Sequence, residues 1–139
     1  MKEVGMEEVE DFDVHYETVG AAIAVHNALG SGHTKEVYLK ALAVELDDRG
    51  IGHVFQAIEK VVYEDVKVGE VIVDLLVGDE LAVEVVVRNE PLPPRERATA
   101  LSYMRGTRIN KKLLLNFGTR RLDFVRYPHV ARDEDARKE

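Results

Sequence analysis

Five histidines, an arginine-rich stretch in the second half and scattered carboxylates are the groups with chemistry to offer, and there is no cysteine. Without a thiol, cysteine nucleophiles, thiolate zinc sites and disulfide staples are excluded. His15, His33, His53 and His129 show no H-x-x-x-H pattern, so the spacing does not support a histidine metal site. His26 follows Val19 and Ile23 at helical intervals, which places it on an apolar helix side as a packed histidine rather than a ligand. Ser-His-Asp order, a phosphate-binding Walker loop and a dinucleotide fingerprint are all absent.

The charge is unevenly spread. The net value is -7, yet residues 1–87 carry 6 Lys and Arg against 19 Asp and Glu, and residues 88–126 carry 10 against 3. If the halves occupy different surfaces, the molecule is a charge dipole that steers a polyanion, or a second copy, to one side. The four arginines Arg95, Arg97, Arg105 and Arg108 flank one short segment and form the candidate nucleic-acid or self-association surface. No aromatic residue interleaves with them as base stacking would require, so docking onto an acidic arm of another copy is the first expectation and nucleic acid the alternative.

Positioning these groups falls to a short series of elements. Residues 1–13 are acidic and aperiodic, an N-terminal arm; residues 14–128 read as one domain; residues 129–139 are a charged tail. The Ala-rich run from His15 to Leu29 is apolar on nearly every side and predicts a buried helix, stopped by Gly30-Ser31-Gly32. Thr34 is the expected N-cap of a second helix ending near Arg49, with Gly50 just beyond and a stripe of Val37, Tyr38, Ala41, Leu42 and Leu46.

Three strand-like runs follow, VFQAIEKVVYE, VKVGEVIVDLLV and ELAVEVVV, with turn chemistry at Glu64-Asp65 and Gly78-Asp79, which predicts an antiparallel meander. NEPLPP then leads into a third helix over 95–105, and KKLLLNFG and RLDFVRY give two more strands. The order ααβββαββ is an α/β (α+β) arrangement, a single mixed sheet flanked by helices.

At 139 residues and 45% hydrophobic, the chain has enough apolar mass for one core. No run is long enough for a membrane helix and the first residues are unlike a signal peptide, so a soluble cytoplasmic protein without a membrane partner is expected.

Four pieces, VGAAIAVHNALGSG, GHTKEVYLKALAVELDDRGI, VGEVIVDLLVGDELAVEV and LSYMRGTRINKKLLLNFGTRRLDFVR, run between Tyr16 and Tyr127. In their order and spacing they resemble the GxxExxY protein family, a branch of the PD-(D/E)XK nuclease superfamily. The resemblance implies a nuclease-like fold and a Mg²⁺ or Mn²⁺ centre. That centre would be built from a helix glutamate, a strand aspartate, the Glu and Lys of an E-x-K strand, and a glutamine on the next helix. Oxygen ligands suit such ions, and the metal activates water and neutralises phosphate charge.

Carried onto these residues, the resemblance puts Asp74 at the strand aspartate and Glu84 at the E-x-K glutamate, the two weakly expected metal ligands. Flanking the turn at Gly78-Asp79, they fall within about one residue of directly opposite, with Cβ atoms about 5 Å apart. The other three positions are altered: Lys35 replaces the GxxExxY glutamate, Val86 the E-x-K lysine and Thr99 the helix glutamine. Lys35 is expected to compete with a metal for Asp74 and Glu84, turning the site into an internal salt bridge. The sequence thus predicts a degenerate, non-catalytic nuclease fold, self-assembling and needing no cofactor. A Mg²⁺-dependent nuclease with a rearranged site and a nucleic-acid-binding module are the alternatives.

Overall fold

The computed structural model describes residues 13–93 and 105–127. The expected tail, the arm apart from Asp13, and the third helix apart from Arg105 lie outside the described residues, and with them Arg95, Arg97 and Thr99.

Helix α1 spans Val14–Leu29 and begins where Asp13 accepts hydrogen bonds from the amides of His15 and Tyr16 at 3.0 and 3.2 Å. Those amides have no partner within the helix, so the carboxylate satisfies them and favours the positive end of the helix dipole. Helix α2 spans Lys35–Asp48; Thr34 caps it by accepting from the amide of Val37 at 3.4 Å, as the sequence predicts. Beyond Arg49, Gly50 takes a left-handed φ of 71° and lets the chain turn back.

The strands are β1 (His53–Tyr63), β2 (Val66–Val77), β3 (Leu81–Val86), β4 (Lys111–Asn116) and β5 (Asp123–Tyr127). They form one five-stranded sheet in the order β1-β2-β3-β4-β5. β3 and β4 run parallel and every other neighbouring pair is antiparallel, so the mixed sheet and the meander are as predicted. Both hairpin turns use left-handed backbone, Glu64 and Asp65 with φ of 49° and 67° and Gly78 and Asp79 with 62° and 64°; glycine and aspartate suit that region, and Glu64 is held there by the turn. The parallel pair demands a crossover, which residues 87–110 supply.

Both helices lie on one sheet face. Leu75, Val77, Leu81, Val83, Val85, Leu113 and Leu115 meet Tyr38, Leu42 and Leu46 of α2 and Ala21, Ala22 and Val25 of α1 there. Helix α2 buries Leu39 where the sequence favoured Val37, which is exposed; the helix is rotated so that Tyr38 and Leu42 face the sheet squarely. Helix α1 is less enclosed than its composition suggests, since Tyr16 and Ile23 face outward. On the other sheet face a smaller cluster of Ala57, Val73, Leu76, Ala82 and Ile109 is covered by the end of the crossover. Among the described residues no helix is long and apolar enough to cross a membrane.

Candidate functional site

The start of α2 is held by one tyrosine. The Tyr38 hydroxyl donates to the carbonyl of Gly30 and accepts from the amide of His33 at 3.1 Å. Its ring stacks on Phe117 with centroids 4.5 Å apart and planes 12° apart, just past the end of β4. Aromatic stacking of this kind contributes about 0.5–1.5 kcal/mol beyond the area it buries. The loop before α2, the helix and the sheet are thereby fixed together, with Lys35 as the first helical residue. The G-x-x-K-x-x-Y spacing is therefore a positioning device: the tyrosine lies almost one turn after the lysine and latches the loop that presents it.

Lys35 points at Asp74, Nζ to Oδ2 at 3.0 Å. A cation at the first position of a helix stands against the positive end of the dipole, where a carboxylate is favoured by about 0.3–1 kcal/mol. Asp74 offsets that. The aspartate itself sits where β2 and β3 part: their paired register ends at Leu75 opposite Val83. One residue further, the Asp74 carboxylate takes over from the backbone and accepts the amide of Val85 at 2.9 Å. The inward–outward alternation also changes there, because Leu75 packs under the helices while Val73 joins the opposite cluster. On β1 the matching gap in the register is Gln56, whose φ of 53° supplies the local twist.

The β2–β3 pairing ends at Leu75 and Val83, the residues adjoining Asp74 and Glu84, so the two acids stand just past the last paired residues. The partner of Glu84 is not Lys35, however. It is Lys112 on β4, Nζ to Oε1 at 2.7 Å. The parallel register sets Lys112 beside Ala82, so Lys112 and Glu84 share the sheet face away from the helices. The lysine side chain is only 5% exposed and the glutamate 44%. The backbone of Lys112 is held as well, accepting from Nε2 of the buried His15 at 3.3 Å. Burial holds the His15 imidazole below its ordinary pKa, with the Lys112 carbonyl working in the other direction and Arg126 reinforcing the drop.

Val86 closes β3 on the same face as Glu84, its carbonyl bonded to the amide of Phe117. Beyond it the buried Asn116 ties the strand exits together. Its Oδ1 accepts from the amides of Arg88 and Gly118 at 2.9 and 3.0 Å, and its Nδ2 donates to the carbonyl of Glu90. Gly118 is obligatory there, because a Cβ would fall within 3.0 Å of the Arg88 backbone.

A family model of the PD-(D/E)XK nuclease superfamily matches residues 12–127. The chain belongs to the PD-(D/E)XK nuclease superfamily. No curated protein and no solved structure matches it.

The superfamily implies a divalent cation, and the donor set here does not fit one. Of the two carboxylates at the expected position, Asp74 already faces an ammonium and a backbone amide, and Glu84 faces a second ammonium. Among the described residues no three carboxylate or imidazole groups converge. Oxygen ligands in number are what Mg²⁺ and Mn²⁺ require. Neither alternative acid assists: Glu70 pairs with Lys67 at 2.6 Å on the distant hairpin, and Glu36 pairs with Lys40.

Of the candidate surface arginines, two are described. Arg105 is exposed in a turn at the end of the crossover. Arg108 forks onto the buried Glu59, Nε to Oε1 at 3.1 Å and one terminal nitrogen to Oε2 at 3.2 Å, while the other donates to the carbonyl of Asp79. It clamps the crossover to β1. His26 is buried, as expected for a packed histidine, and donates from Nε2 to the carbonyl of Thr119 at 3.0 Å.

Proposed function

We propose that this chain is a catalytically inactive member of the PD-(D/E)XK nuclease superfamily, acting as a non-catalytic, self-associating subunit. The observation that carries the loss of catalysis is the Lys35–Asp74 pair, an ammonium 3.0 Å from the aspartate at the expected metal position. Hydrolysis of a phosphodiester needs a cation to polarise water and neutralise charge, and an ammonium already fills that electrostatic role without binding water for attack. Val86 in turn offers a hydrocarbon where the pattern needs a proton-handling amine.

Self-association is supported by the β1–β2 ribbon. Ile58 and Ile72 lie directly opposite one another and are 62% and 64% exposed, and Tyr63, Val66 and Val68 extend the apolar surface toward its tip. β1 is also an outer strand of the sheet, where the end of the crossover meets it at Val62, whose amide donates to the carbonyl of Gly106 at 2.8 Å.

Calorimetric titration with Mg²⁺ and Mn²⁺, together with a plasmid-cleavage assay, tests the first part: no saturable metal binding and no cleavage are expected. Metal-dependent cleavage abolished by Asp74→Ala would refute it. Light scattering at low and high salt tests the second. Oligomers that dissociate in an Ile58→Lys/Ile72→Lys variant are expected, and a monomer at every concentration refutes the association.

A second reading, a nuclease with a rearranged site, draws on Lys112, which brings an amine to Glu84 at 2.7 Å. Its side chain is enclosed and approaches from the Ala82 side rather than the Val86 side, so it neutralises the glutamate instead of extending the site outward. The same cleavage assay decides it.

A further inference from the structure

At the carboxyl end of the parallel strands, beyond the Tyr38–Phe117 stack, a pocket of about 320 Å³ opens between α1 and the β4–β5 turn. Ile23, His26 and Asn27 of α1, Arg120 and Arg121 of the turn, and Phe124 of β5 line it. It lies apart from Asp74 and Glu84 and serves neither of their ion pairs.

Arginine stays protonated at any physiological pH, and both guanidiniums project from an exposed turn with no carboxylate within ion-pair distance among the described residues. The nearest acid in the chain, Asp123, is committed to the amide of Leu92 at 2.7 Å. Two adjacent guanidiniums, unpaired with any acid among the described residues, are free to take an anion from outside.

The turn that carries them is braced. Thr119 gives its carbonyl to His26 and its hydroxyl to the carbonyl of Arg121 at 2.6 Å, and Gly118 is held by Asn116 at 3.0 Å. A braced turn loses little freedom on binding, which is what an affinity site requires. Apolar groups share the lining: Phe124, 38% exposed on an edge strand, and Ile23 present hydrocarbon surface to the same pocket.

Guanidiniums for a phosphate and an aromatic ring for a base, lining one pocket, are the chemistry of a nucleotide. The volume also falls in the range of small-ligand sites. We infer that this pocket binds a nucleoside 5′-phosphate group, with Arg120 and Arg121 on the phosphate and the base against Phe124. The group belongs either to a free mononucleotide or to the 5′ end of a strand.

Calorimetry of the full chain with AMP, adenosine, inorganic phosphate and a 5′-phosphorylated ten-nucleotide oligothymidylate tests this. AMP or the oligonucleotide is expected to bind saturably, with adenosine and phosphate each weaker by about tenfold or more. Comparable affinity for AMP and the oligonucleotide identifies the free nucleotide as sufficient, and binding of the oligonucleotide alone assigns the strand end. An Arg120→Ser/Arg121→Ser variant, altered only on exposed side chains, should lose about tenfold or more, and Phe124→Leu a smaller factor. A Lys40→Ser control should bind as the wild type does. Amide shifts in the wild-type spectrum should centre on 23–27 and 119–124, which needs no variant to fold. Absence of binding by both nucleotide probes, phosphate binding as tightly as AMP, full affinity in the double variant, or shifts confined to other regions would each overturn the assignment.

Discussion

Replacing Glu84 with glutamine separates an ion-pair centre from a metal site by the sign of its effect on stability. In a site of mutually repelling carboxylates awaiting a cation, neutralising one of them relieves repulsion and stabilises the apo protein. Here Glu84 faces Lys112, whose side chain is 5% exposed, at 2.7 Å. Glu84→Gln takes a carboxylate charge at 2.7 Å away from that enclosed ammonium. Breaking a fully buried pair in this way costs about 3–5 kcal/mol. Glu84 is itself 44% exposed, so water reaches one end of the pair and the cost is reduced to about 2 kcal/mol. For a domain of this size that is a fall of about 4–8 °C in Tm.

The reverse change is expected to be mild. Lys112→Met removes the buried charge, fills the space with an apolar chain of similar length and leaves Glu84 able to hydrate, at a cost under about 1 kcal/mol. The double variant should then resemble Lys112→Met alone, giving a coupling energy of about 1–2 kcal/mol. Urea unfolding followed by far-ultraviolet circular dichroism measures all four proteins, with a lowered midpoint and unchanged slope as the signature. A midpoint for Glu84→Gln equal to or above that of the wild type would refute the reasoning.

Three further outcomes are expected. Lys35→Glu sets a third carboxylate beside Asp74 at a favourable helix start; it should lower Tm in EDTA and regain several degrees with millimolar Mn²⁺, whereas wild-type Tm should ignore the metal. His15 is held below the ordinary value of 6.5 chiefly by burial, so below that pH the unfolded chain takes up a proton that the folded chain resists. Stability is then full above pH 6.5 and falls as pH drops toward the folded value, and urea midpoints of His15→Phe should show a flatter dependence. Gly118→Ala drives a methyl into the Arg88 backbone and should cost more than about 2 kcal/mol, read as a lower Tm; an unchanged Tm would count against the close approach of the two strand exits.

Much of the sheet was readable in advance because its signals are local. Alternation in β1 and β2 and the paired turn residues Glu64-Asp65 and Gly78-Asp79 fix hairpin register, as far as Leu75 opposite Val83. Thr34 as a cap and His26 as a packed group were legible for the same reason. Lys112 was not, because its meeting with Glu84 depends on the parallel β3–β4 register, set by a crossover of more than twenty residues. The available signal was a lysine inside the apolar run KKLLLN, two and four residues before Leu114 and Asn116 on one strand face. Arg108 was read as surface on its charge, but its fork lies on the buried Glu59, a contact spanning the crossover that no local pattern encodes.

The apparatus around Lys35 argues about history as well as chemistry. Thr34 capping, the Tyr38 latch on Gly30 and His33, and the stack on Phe117 together fix the first residue of α2 toward the seam where β2 leaves β3. That placement suits an anion by the helix dipole, and in the G-x-x-E-x-x-Y pattern the resident is an acid. On the proposed reading, this chain keeps the positioning and inverts the charge positioned. Asp74 is retained too, and its bond to the Val85 amide gives it a second role that a metal ligand alone would not explain: it closes the sheet where the backbone ladder stops. An aspartate with that structural role is needed whether or not the chain is catalytic, and under the proposed loss of the metal it needs a cationic neighbour. Lys35 supplies that charge from the helix, and Lys112 does the same for Glu84 from the sheet. In the proposed function the two lysines substitute internally for the divalent charge, one on each carboxylate, so loss of Glu84 or Asp74 should be felt first in stability.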